Sequence, residues 1–141
     1  IEFEPKNIKT NIANTLEYFN RIQLRESITF LITDICSELP KKEIEITKKR
    51  HDFIVCLVND MLEYELPNLG GTLVMSDSEN GDFVYFDMSN KSIRNKYLSE
   101  QNKIMEDKLN FLKKNSIEKI LLYTSSDYVN EIMKFFIKRR R

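Results

Sequence analysis

Two short hydrophobic runs that each end in an acidic residue dominate the polar and apolar pattern of the chain. Ser27 to Thr33 leads into Asp34, and Asp52 to Asn59 leads into Asp60. The Lys/Glu-rich segment Lys41 to Arg50 lies between them, with Pro40 at its start, and is long enough to cross back over a sheet. The pattern therefore predicts two parallel strands whose aspartates emerge at one end, where ligands bind in open parallel sheets. Ahead of them, Asn11 to Gln23 places Ile12, Leu16, Phe19 and Ile22 at helical spacing, with Thr10 as the expected N-cap.

An irregular connection is expected over Met61 to Gly71, with Pro67 and the Gly70–Gly71 pair as turn signals. Thr72 to Met75 and Phe83 to Phe86 then flank a polar loop at Ser76 to Asp82 and read as a hairpin. Ser89 to Asn115 carries Ile93, Tyr97, Ile104, Met105, Leu109 and Leu112 in an imperfect stripe and predicts a long surface helix. Ile117 to Tyr123 predicts a third buried strand, and Asp127 to Arg139 a last helix with Val129, Ile132, Met133 and Phe136 on one face. The order is that of an α/β fold, a Rossmann-like and mostly parallel sheet with helices on both faces and an appended β-hairpin, in one domain spanning residues 1–141.

Composition changes this picture little. Of 141 residues, 41% are hydrophobic, enough for one core. The 22 basic and 22 acidic side chains cancel, so no global field favours nucleic acid or an anionic membrane. The longest apolar run, Phe53 to Val58, falls far short of the roughly 20 residues of a spanning helix. Cys36 and Cys56 make neither a disulfide framework nor a metal-ligand spacing, and a reducing cytoplasm is the expected location. The chain opens on Ile1 rather than Met, and is expected to be part of a longer protein.

Several residues carry candidate chemistry. A hard cation such as magnesium takes oxygen ligands, and Thr10, Asp34 and Asp60 are the candidates for it. His51 is the single histidine, but no nucleophile motif accompanies it, so a structural role at the strand entrance is the expectation. Thr124 to Ser126 is read as capping the last helix through Ser125 or Ser126 rather than as an anion site. The Lys138 to Arg141 cluster has no interleaved aromatics and is read as a solvated terminus whose charge suits the helix dipole. Gly70, Gly71 and Gly81 form no phosphate-cradling loop.

Taken together, Thr10-Asn-Ile-Ala-Asn-Thr-Leu16, Ile32-Thr-Asp34, Arg50-His-Asp52, Asp60-Met-Leu-Glu63, Glu65-Leu-Pro67 with Gly70, and Asp77-Ser-Glu-Asn-Gly81 resemble the bacterial domain-of-unknown-function family 58 in order and spacing. Arg94 with Tyr97, and Phe135-Phe-Ile-Lys-Arg139, resemble its C-terminal pattern. The resemblance implies a von Willebrand factor type A-like domain, often encoded beside MoxR-type AAA+ ATPases. It also implies a metal-ion-dependent adhesion site built from an Asp-x-Ser-x-Ser loop, a threonine and an aspartate. Thr10 and Asp34 match the last two, and the first lies nowhere in the 141 residues. The chain is accordingly expected to be the C-terminal portion of such a domain, without its first strand, and to hold magnesium weakly or not at all by itself. Lys9 and Asn11 depart from the family's Gly-Thr-Asp, as Thr33 and Ile35 depart from its Ser-Asp-Phe.

The function implied is a non-enzymatic protein-interaction module whose partner is a MoxR-type ATPase or that ATPase's client. The alternative is a metal-dependent phosphoesterase or nuclease using Asp34, Asp60 and Glu63. With a neighbouring strand absent, the strand Ser27 to Thr33 is also expected to recruit a second copy through its edge.

Overall fold

In a computed structural model, residues 10–60, 70–76 and 83–140 are described. Glu63, most of the Met61 to Gly71 connection and the hairpin loop at residues 77–82 lie outside them.

The expected elements form in the expected order. They are helix α1 (Ile12–Ile22), strand β1 (Ile28–Asp34), helix α2 (Lys41–Arg50) and strand β2 (Asp52–Asn59). Strands β3 (Thr72–Ser76) and β4 (Phe83–Asp87) follow, then helix α3 (Lys91–Lys114), strand β5 (Glu118–Tyr123) and helix α4 (Tyr128–Arg139). β1, β2 and β5 form a parallel sheet in the order β1-β2-β5, and β3 pairs antiparallel with β4 as the hairpin. Gly70 and Gly71 precede it with φ of 67° and 79°, a backbone region that glycine enters without steric cost.

The central strand β2 is buried on both faces, which explains its continuous apolar run from Phe53 to Val58. On one face Phe53, Val55 and Leu57 pack with Leu31 of β1 and Leu121 of β5 under Ile12 and Leu16 of α1, Ile44 of α2, and Met105 and Leu112 of α3. On the other face Ile54, Cys56 and Ile120 pack with Leu122 and with Ile132 and Phe135 of α4. The last helix thus differs from its expected face. Phe135 turns inward with Ile132, while Val129, Met133 and Phe136 stay largely exposed along its flank. The reason is geometric: one helix covers the width of about two strands, so its flank overhangs β1 without being covered in turn.

Helix ends show where local chemistry overrode the expected caps. α1 is capped by Asn11, whose Oδ1 accepts the Asn14 N–H at 2.9 Å, and not by Thr10. An asparagine one position closer to the first turn reaches that donor, and Thr10 does not. α4 is capped by Asp127, whose carboxylate accepts the Asn130 N–H. Ser126 instead closes the preceding turn, accepting from the Tyr123 N–H and donating to the Tyr123 carbonyl, so neither Ser125 nor Ser126 is the cap. α3 ends in a Schellman motif: the Ile117 N–H reaches the Leu112 carbonyl at 2.8 Å, and the Ser116 N–H reaches that of Lys113. Ser116 takes the left-handed position, with φ of 50°.

Candidate functional site at the strand exits

Parallel strands present all their C-terminal ends together, and here those ends carry Asp34, Asn59, Asp60 and Thr124. Register sets Asp34 beside Val58, so Asp60 stands two residues farther along on the neighbouring strand. The Thr124 hydroxyl donates to Asp60 Oδ2 at 2.9 Å, and the Thr124 N–H to the Asn59 carbonyl. These bonds tie the exit of β5 to that of β2. Asn59 is fully buried; its amide donates to the Leu122 and Leu57 carbonyls, while its Oδ1 meets no donor.

Asp34 ends β1 as an exposed side chain, and its Oδ1 accepts the Ser37 N–H at 2.6 Å, which folds the loop back on the carboxylate. Lys108 of α3 reaches the same loop and donates to the carbonyls of Ile35 and Ser37. Burial pushes the Lys108 ammonium below its ordinary pKa of 10.5, and the charges of Asp34, Cys36 and Glu38 oppose that shift.

Thr10 precedes the start of α1. Farther along that helix, Phe19 lies 4.9 Å from the His51 ring, and Asn20 hydrogen-bonds Thr47 and Arg50 near the end of α2. The second half of α1 therefore sits at the strand entrances. His51 occupies the opposite end: Nδ1 lies 3.2 Å from the Ser27 hydroxyl, Nε2 is buried without a partner, and the ring packs on Phe19. It takes the structural place expected of it, far from the two aspartates.

A divalent cation of the magnesium type needs about six oxygen ligands in near-octahedral array. Among the described residues no group of three or more His, Cys, Asp or Glu side chains is arranged to hold a metal. One Asp34 oxygen is already engaged and an ammonium stands beside it.

The family described as "Protein of unknown function DUF58" matches residues 1–107. The chain belongs to this family. No curated protein and no solved structure matches it. The match spans the exits of β1 and β2, the hairpin strands and the part of α3 before Lys108, while β5 and α4 follow it. No described helix of the DUF58 chain is long and apolar enough to cross a membrane.

Sequence reasoning missed Lys108 and Asn59. Lys108 is one of many lysines on a charged helix, and only the packing of α3 against the Asp34 loop singles it out. Asn59 had a signal, a polar residue ending an otherwise apolar strand.

Proposed function

We propose that this DUF58 chain is a protein-interaction module rather than an enzyme, and that it docks its partner at the strand exits. The observation that supports this reading is that both exit carboxylates are committed to fixing loops, Asp34 to the Ser37 N–H and Asp60 to Thr124. A general base or a two-cation centre needs carboxylates that converge on one reacting point. Loops braced from beneath present a defined surface instead. The family resemblance implies the partner, a MoxR-type AAA+ ATPase or its client. It also implies that a magnesium ion would enter only if an Asp-x-Ser-x-Ser loop joined Thr10 and Asp34.

Binding to a purified MoxR-type ATPase from the same organism, measured by biolayer interferometry with magnesium and with chelator, tests this. Saturable binding that weakens at least tenfold on Asp34→Ala supports the module. Magnesium-dependent hydrolysis of a generic phosphodiester, abolished by Asp60→Asn, would establish the phosphoesterase reading in its place.

A further inference from the structure

The two sides of β1 are treated differently by the rest of the molecule. Leu31 faces the three-helix layer and is packed there, whereas Ile28, Phe30 and Ile32 face the α4 side and are 60%, 41% and 69% exposed. Strands of a parallel sheet are ordinarily covered on both faces, so this strip is anomalous. It is not isolated. The Phe136 ring meets the Phe30 ring edge-on at 6.2 Å, and Met133 and Ile137, 52% and 61% exposed, continue the apolar surface up the flank of α4. The result is a furrow with β1 as its floor and α4 as its wall. A groove of about 430 Å³ runs along that wall.

We propose that a second copy of this chain fills the furrow, so that the protein is a symmetric dimer held face to face through α4 and β1. A ridge lying directly beside a furrow that is open along the edge strand β1 is self-complementary. A two-fold axis parallel to the strands, passing between the two α4 helices, sets each ridge into the other copy's furrow. Met133 and Ile137 then rest on the second copy's Phe30 and Ile32, and each α4 lies between two sheets at ordinary helix-to-sheet spacing. The area is sufficient. Six large side chains, each about half exposed at roughly 200 Å² apiece, amount to about 600 Å² per copy. The pair buries about 1,200 Å², the lower bound for a specific, stable interface. This interface is independent of the strand exits and of the reading given to them.

The same symmetry places the two Arg140 residues at one end of the paired helices. Their repulsion is screened by salt, so dimerisation should strengthen as ionic strength rises.

Sedimentation velocity between about 1 and 200 μM tests the proposal. The wild-type chain is expected to shift from monomer to dimer within that range, and at lower concentration in high salt. Ile137→Glu and Met133→Lys, both at exposed positions, are expected to remain monomeric with unchanged circular dichroism and melting temperature. A monomeric wild type at the highest concentration overturns the proposal. So does a dimer that both substitutions leave intact, because that species would be joined through the backbone edge of β1 instead.

Discussion

The Lys108 ammonium lies against the loop that carries Asp34, donating to the carbonyls of Ile35 and Ser37 on the far side of that aspartate's own hydrogen bond. A lysine 71 residues downstream of Ser37 therefore braces the exit of the first strand. The brace is electrically strained in one direction. Burial disfavours the charged amine more than Asp34, Cys36 and Glu38 favour it, so the folded-state pKa lies below the ordinary 10.5. Between those two values the unfolded chain binds more protons than the folded one. Stability contributed by this group therefore rises with pH through that window and is lower beneath it. Urea denaturation across pH 8.5 to about 10.5 should show a less positive slope for Lys108→Met than for the wild type. Equal slopes would mean that the amine is as well solvated in the folded state as in the unfolded.

Ser116 is a non-glycine residue at the left-handed position of the Schellman motif closing α3, and its side chain is exposed. The Cβ clash there costs about 1–2 kcal/mol, of which the greater backbone freedom of glycine in the unfolded chain takes back part. Ser116→Gly is expected to raise unfolding stability by about 0.5–1 kcal/mol, seen as a higher denaturation midpoint at unchanged slope. A lower midpoint would show that the Ser116 backbone is not held in that conformation.

The sheet was legible in the sequence because β2 is central. An apolar run without alternation, bounded by His51 and Asp60, has few readings other than a strand covered on both faces. Its parallel neighbour β1 followed from the length of Lys41 to Arg50, enough to cross back over the sheet. What remained illegible depended on which side of an element meets which neighbour. The stripe on α4 was plain, but nothing in Val129, Ile132, Met133 and Phe136 says that the helix sits over β2 and β5, turning Phe135 inward and leaving Phe136 against Phe30 of β1. Asn11 and Asp127 were overlooked as caps because Thr10 and Ser126 are equally good capping residues, and only backbone geometry one position away decides. At the strand exits the aspartates stood out as chain landmarks, whereas Lys108 came into view only through the packing of α3.

The two thiols should separate cleanly by reactivity. Cys36 is exposed just past β1, whereas Cys56 lies in the interior of β2 with Ile54 and Ile120, where burial pushes its pKa up. The thiolate is the reacting species, so Cys56 is shielded both sterically and by protonation. Native protein treated with an aromatic disulfide reagent at pH 8 should release one equivalent of thiolate quickly, and Cys36→Ser should abolish that phase. The second equivalent should appear only in denaturant. Fast reaction of Cys56 in the native state would mean that α4 lifts off the sheet readily.

Beneath the contact of α1 with α2 lies a polar seam in an otherwise apolar layer. Asn20 Nδ2 donates to the Leu16 carbonyl and, at 2.7 Å, to the Thr47 hydroxyl, which in turn donates to the Glu43 carbonyl; Arg50 donates to the Asn20 carbonyl. Asn20 and Thr47 are both buried, and Asn20 Oδ1 has no partner. Thr47→Val keeps the shape but removes the acceptor, leaving an amide hydrogen buried and unsatisfied at a cost of about 1–3 kcal/mol. Replacing both partners with apolar groups of similar volume removes that penalty along with the orphaned Asn20 oxygen. The double variant Asn20→Leu with Thr47→Val should therefore be more stable than Thr47→Val alone by at least about 1 kcal/mol, a coupling that a double-mutant cycle in urea measures directly. Additive losses in that cycle would show that the two side chains act independently and that the bond between them contributes nothing to holding α1 on α2.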